Sequence, residues 1–212
     1  MGIPLEIAIA SRNPGKIREI KQICADWPVR WVVADEDDRE WPEVDETGQT
    51  YLDNALLKAR EVSRALAMPC VADDSGIEVD ALNGGPGPRS ARFAGDGATD
   101  EENLLLLIES IRADEMRRTA RYVCVAATAW PDGREIHAEA MCEGTLITQR
   151  RGSEGFGYDP IFVPTDGDGR TMAELSPAEK DAISHRGRAF RALRDALEDE
   201  SPARHRQDQG RK

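Results

Sequence analysis

An apolar run, Pro69-Cys70-Val71-Ala72, stops at two adjacent carboxylates, Asp73 and Asp74, and continues through Ser75-Gly76 to a loop holding Gly84, Gly85, Pro86, Gly87 and Pro88. This stretch constrains the fold more than any other. A strand ending in two acids presents them at a sheet edge, where loops carry chemistry. Two anionic oxygens in such a place suit a hard cation such as Mg²⁺. Asp, Ser and Gly also build ordinary turns, so the segment by itself leaves both readings open.

Leu5 to Ala10 adds a second constraint. It is mostly apolar, which predicts a strand buried on both faces, and it runs into Ser11-Arg12-Asn13-Pro14-Gly15-Lys16. Asn13 suits an N-cap and Pro14 the first helical position, and Ile17, Ile20, Ile23 and Cys24 recur at helical spacing. Free N–H groups and the dipole at such a helix start attract anions, and Lys16 adds a charge one turn in. An ordinary capped helix fits the same residues, and the glycines are too few for a Walker loop.

Strand and helix patterns alternate along the rest of the chain. Val29 to Ala34 predicts a strand, and the acidic, aperiodic Asp35 to Glu46 predicts a solvated loop from which one acid can reach a metal site. Thr50 and Asp53 form a capping box for a helix with the stripe Leu56, Ala59, Val62 and Leu66, while Asn54, Lys58 and Glu61 share another face. Thr99 and Glu102 open a further helix through about Arg117, with Leu104, Leu107, Ile108 and Ile111 inward. Arg121 to Trp130 and Glu135 to Cys142 read as a hairpin about Pro131-Asp132-Gly133, and Ile161 to Val163 as a short strand. Ser176-Pro177-Ala178-Glu179 is a third capping box, ahead of a last helix carrying Phe190, Leu193 and Leu197.

The 212 residues, 40% apolar and 32% charged, suit a single globular domain, taken as 1–198, with a polar tail, 199–212, expected to be disordered. The N-terminal MGIPLEIAIA lacks a basic n-region and reads as a first strand, not a signal peptide. No apolar run approaches membrane-spanning length, so a cytoplasmic protein is expected. A net charge of −12 argues against duplex DNA or anionic lipid as partner. Cys24, Cys70, Cys124 and Cys142 show no metal spacing and read as reduced, buried thiols.

Phe156 and Tyr158 lie among glycines in Gly155-Phe156-Gly157-Tyr158-Asp159-Pro160, so Phe156 suits either a base-stacking platform or a core tether. Of the three histidines, only His185 has charged company, Lys180 and Arg186. Carboxylates for a metal, Lys16 and Lys58 for phosphates and a ring for a base together suit a metal–triphosphate ligand. With no readable Ser-His-Asp or Cys-His arrangement, the nucleophile is expected to be water, activated by an Asp.

These pieces resemble the inosine triphosphate pyrophosphatase (Ham1-like, RdgB-like) family. They are Ser11 to Lys16, Asp45-Glu46-Thr47-Gly48, Asn54 to Ala59, Ala72 to Ile77, Ser90-Ala91-Arg92-Phe93-Ala94-Gly95, Gly155 to Pro160 and Glu179 to Arg186, in the family's order. The resemblance implies an α/β fold, a long twisted mixed β-sheet with flanking helices in two lobes around a central cleft, usually homodimeric. It also implies Mg²⁺-dependent hydrolysis of ITP, dITP or XTP to the monophosphate and pyrophosphate. Carried over by position, Asp74 becomes the general base and a metal ligand, with Glu46 and Asp73 completing the metal set. Ser11, Arg12, Asn13, Pro14, Gly15, Lys16, Lys58 and Ser75 fall on the triphosphate. Phe156, Gly157, Tyr158, Asp159, Lys180, His185 and Arg186 fall on the base and sugar. Donors from His185 and Arg186 with an Asp159 acceptor would match the O6 and N1–H of a 6-oxopurine. The rival readings are a Maf-like pyrophosphatase for modified nucleotides, a non-catalytic nucleotide-binding module and an orthophosphate-releasing phosphatase.

Overall fold

The computed structural model describes residues 5–111 and 117–200. The N-terminal tetrapeptide, the expected helical stretch across 112–116 and the tail from 201 lie outside them.

Parallel strands open the chain, as its apolar N-terminal run requires. β1 (Leu5–Ile9) leads into α1 (Pro14–Ile23), and β2 (Val29–Val32) returns beside β1 in parallel. α2 (Tyr51–Leu66) then crosses to β3 (Cys70–Val79), also parallel to β1. From there the sheet becomes antiparallel. β4 (Gly85–Pro86) and β5 (Thr119–Ala129) both pair with β3, with α3 (Asp100–Ile111) between them in the chain. β6 (Glu135–Leu146) and β7 (Phe162–Pro164) complete an order of β2-β1-β3-β5-β6-β7. α4 (Pro177–Ile183) and α5 (His185–Asp199) close the described chain.

The expected helix starts are capped as read. Asn13 Oδ1 accepts from the amides of Gly15 and Lys16, and Thr50 and Ser176 make complete capping boxes. β5 departs from simple alternation, because Cys124, Ala126 and Thr128 are as buried as Val123, Val125 and Ala127. It lies mid-sheet, with α5 packed on one face and α2 on the other. β6 has α5 on one face alone, and Glu135, His137, Glu139, Met141 and Glu143 stay exposed on the other.

The strand at Val71 does not end at the acids. β3 runs ten residues, through Asp73-Asp74 and on to Val79. What ends there is its neighbour. β1 pairs with β3 only at Cys70 and Val71, and β4 only at Glu78 and Val79. Between them, among the described residues, that edge of β3 carries no strand, while β5 pairs along its whole length on the other side. Cross-strand support from β5 lets the strand survive two acids that a solvent-facing reading would treat as a stop. The gap in the edge forms the cleft.

Candidate active site

Adjacent residues on a strand point to opposite faces, so Asp73 and Asp74 are not a pair at one point. Asp74 faces α2. Its Oδ1 lies 3.2 Å from Lys58 Nζ, and its Oδ2 accepts from Asn54 Nδ2 at 3.2 Å. Lys58 Nζ also donates to Glu46 Oε1 at 2.8 Å, so two carboxylates converge on one ammonium. Asp73 faces α1 and α5. Its Oδ2 accepts from Arg186 Nε and Nη2 at 3.2 and 3.0 Å and from Ser75 Oγ at 3.1 Å, with Lys16 Nζ at 3.2 Å.

The two environments separate the two acids electrostatically. Burial pushes Asp73 up, but Lys16, Arg186 and Lys58 overcome it and hold the carboxyl far below the usual range. Burial raises Asp74, with a smaller push from Glu46, and Lys58 and Lys16 do not fully offset it. Neighbouring carboxylates with acidities pushed apart are a sign of divided roles. Of the three carboxylates expected around a metal, Glu46 and Asp74 converge on Lys58, and Asp73 turns to Lys16 and Arg186. Among the described residues no group of three His, Cys, Asp or Glu could hold a metal ion. Glu46 and Asp74, hard oxygen donors already gathered about one positive charge, fit a Mg²⁺ ion that keeps water or ligand oxygens in its other positions; Asp73 is committed elsewhere.

The helix start at Asn13 differs from the expected anion cradle. The amides of Gly15 and Lys16 are taken by Asn13 Oδ1, the amide of Asn13 donates to Ser11 Oγ at 3.2 Å, and Pro14 has none. Positive charge at this end comes instead from Lys16, Lys58 and the exposed Arg12. Gly15 has a different use. A Cβ there would come within 2.7 Å of the Phe156 ring, so glycine is what lets that ring rest on α1.

Phe156 is half-buried, with Lys180 Nζ 5.1 Å and the Arg186 guanidinium 5.6 Å from its ring centroid. Its loop is pinned from several sides. Gly157 N–H donates to Asp100 Oδ2 at 3.1 Å, and Tyr158 Oη donates to the Ser90 carbonyl at 2.8 Å. Asp159 is buried and meets three donors. Oδ1 accepts from Tyr122 Oη, and Oδ2 from the Phe156 amide and Lys180. Asp159, expected as an acceptor for a purine N1–H, holds the aromatic loop and Lys180 through Oδ2, while Oδ1 accepts from Tyr122 alone among the described residues.

Ser184 ends α4 and caps α5, accepting from Gly187 N–H at 3.0 Å, and the corner so formed turns His185 and Arg186 inward. Gly187 permits it, because a Cβ would lie 1.9 Å from the Asp181 carbonyl. His185 stacks on Tyr122 with centroids 4.5 Å apart and planes 8° from parallel. Burial, then Arg186 and Lys180, hold its imidazole well below the usual range, so it is neutral. Its Nδ1 has no hydrogen-bond partner among the described residues.

The chain reading missed Glu19. Its Oε1 accepts from Lys180 at 2.7 Å and its Oε2 from Arg186 Nη1, tying α1 to the α4–α5 corner. The signal was its place three residues after Lys16 on the same helix face. Tyr122, Asn54 and Asp100 were also missed as site residues; they sit in elements whose patterns read as packing or capping.

Two adjoining cavities result. One, of about 120 Å³, meets Asp74, Ser75, Phe156, Gly157, Tyr158, Asp159, Lys180, His185 and Arg186. The other, of about 290 Å³, meets Ser11, Arg12 and Lys58. Asn13, Lys16 and Glu46 line both. Pro14, Gly15 and Asp73 line neither.

A mixed sheet opened along one edge of β3, with acids and cations facing across the gap, defines an α/β protein with a site for a charged ligand at a strand switch. The sequence profile of the Ham1 family matches residues 7–196. A dITP/XTP pyrophosphatase of Streptomyces coelicolor is 51% identical over 191 residues, covering 88% of this chain and 94% of that protein. One of Anaeromyxobacter is 44% identical over 223 residues, covering 92% and 97%. The solved structure of a HAM1 protein from Coxiella burnetii has a TM-score of 0.81 at 38% identity, covering 92% of this chain and 99% of its own. The Ham1 protein of Staphylococcus aureus has 0.78 at 40%, covering 92% and 100%. The chain belongs to the Ham1 family.

Proposed function

We propose that this chain hydrolyses non-standard purine nucleoside triphosphates, ITP, dITP and XTP, to the monophosphate and pyrophosphate, and so cleanses the nucleotide pool. The observation that carries the reading is the division of labour across β3. Asp74, its acidity weakened, faces the open cleft, while Asp73, strongly acidic, anchors the cations on the opposite face.

The smaller cavity takes the base against Phe156, and Lys16, Lys58 and Arg12 neutralise the phosphates. Mg²⁺, held by Glu46 and Asp74, supplies further neutralisation of phosphate oxygens when bound. A water attacks the α-phosphorus, its proton passes to the Asp74 carboxylate, and the α–β bridging P–O bond breaks to release pyrophosphate. A weakened Asp is the better proton acceptor. Neutral His185, its ring plane fixed by Tyr122, can donate one N–H to the O6 of a 6-oxopurine. Adenine presents an amino donor there, and the clash of donors costs about 1–3 kcal/mol.

Among the described residues no helix is long and apolar enough to cross a membrane. Four buried free thiols favour a reducing, cytoplasmic setting. A homodimer follows from the family resemblance and is checked by sedimentation.

Asp74→Asn tests the assignment. It removes the proton acceptor and keeps the shape, so turnover of ITP falls at least about 100-fold while binding of a non-hydrolysable analogue persists. A rate near that of the unmutated protein sinks Asp74 as the base.

A further inference from the structure

The larger cavity has a mixed lining: the charged Arg12, Lys16, Glu46 and Lys58 share it with the apolar Ala34, Trp41, Pro42, Val44 and Val62. Phosphate oxygens gain nothing from an apolar wall. An indole beside cations suits a planar, apolar group instead. Trp41 is fixed where it stands. Its Nε1–H donates to Asp37 Oδ2 at 3.0 Å, Arg39 holds the same carboxylate at 2.8 Å, and the ring packs on the cluster containing Val62 and Met68. At about 290 Å³ the space exceeds that of the base-side cavity, about 120 Å³, and the two share Asn13, Lys16 and Glu46. A ligand can therefore run from one into the other past the phosphate-binding cations.

We propose that the Trp41 wall receives a planar group carried on the terminal phosphate, so that the chain also hydrolyses dinucleoside polyphosphates. This rests on the assignment of the smaller cavity to the base and of the cations to the phosphates. The chemistry is unchanged. The oxygen of water bonds to the α-phosphorus of the inosine half, and the α–β bridging P–O bond breaks with its electron pair leaving on the β-phosphate. The water proton goes to Asp74. The products are IMP and the remaining polyphosphate still bearing its terminal group, with no oxidation or reduction.

The test compares ITP, its γ-methyl ester, its γ-phenyl ester and diinosine tetraphosphate on the unmutated protein, with products separated by chromatography. Burying a phenyl ring against the indole is expected to raise kcat/KM at least about fivefold over the methyl ester. Diinosine tetraphosphate is expected to give IMP and ITP before further breakdown. Trp41→Ala abolishes the phenyl preference while ITP turnover stays within about twofold, and Trp41→Phe retains most of it. A methyl ester cleaved as well as the phenyl ester by the unmutated protein overturns the proposal, whatever the variants do. So does a parallel loss of ITP and phenyl-ester turnover in Trp41→Ala. Absence of any ITP hydrolysis overturns the nucleotide assignment as well; ITP hydrolysis without the phenyl preference overturns this inference alone.

Discussion

Glu19→Gln probes the part of the site that the sequence did not announce. Glu19 sits on α1 with its side chain 13% exposed and bonds two cations that are almost wholly buried, Lys180 and Arg186, at 6% and 2%. Each bond is charge-assisted and contributes about 1.5–3 kcal/mol. Gln keeps one oxygen acceptor and removes the charge. Lys180 then depends on Asp159, and Arg186 on Asp73, for neutralisation. The summed loss is about 2–4 kcal/mol, held below the sum of two full bonds by those remaining partners. Urea unfolding of both proteins measures it. Burial raises the Glu19 pKa, but Arg186 and Lys180 outweigh it and hold the folded carboxyl below its ordinary 4.5. Its contribution is therefore complete above that value and lost as pH falls through the folded pKa, so the two proteins converge in stability in acid. Because both cations line the base-side cavity, KM for ITP rises about tenfold or more while kcat changes less. Stability within about 0.5 kcal/mol of the parent and an unchanged KM would refute the coupling of α1 to the α4–α5 corner.

Two other substitutions give sharp signs. Asp181 is buried with Oδ2 unpartnered among the described residues, and burial, then Glu19, pushes its pKa from an ordinary 3.8 up to about 6. A raised acid destabilises the fold once charged, so Asp181→Asn gains about 1–2 kcal/mol at pH 7 after allowance for solvent screening, and the gain fades as pH falls from about 6 toward 4, read by thermal unfolding across pH. Gly15→Ala favours the helix by up to about 1 kcal/mol but drives a methyl into Phe156, 2.7 Å away, so stability barely moves while KM for ITP rises about fivefold at similar kcat. Unchanged KM there would mean that the ring does not need its seat on α1.

Much of the fold was legible because caps and apolar periods are local. Asn13, Thr50, Thr99 and Ser176 each mark a real helix start, and the stripe Leu104, Leu107, Ile108 and Ile111 is buried as read. The course of β3 was not legible, because its survival past Asp73 depends on pairing with β5, some fifty residues away in the chain. The cations were legible as residues but not as partners. Lys58, expected on phosphate, also bridges Glu46 and Asp74, and Asp159, expected on the base, also holds Tyr122, Phe156 and Lys180. Partnerships of this kind are long-range, and a one-residue step along β3 decides them by turning Asp73 and Asp74 to opposite faces.

The most direct test of the central claim is the product ratio with ITP as substrate. Pyrophosphate and IMP in equal amounts, with no orthophosphate ahead of them, is the predicted result, and Asp74→Asn must abolish both together. Orthophosphate appearing with IDP would contradict attack at the α-phosphorus and the role given to the cleft beside β3.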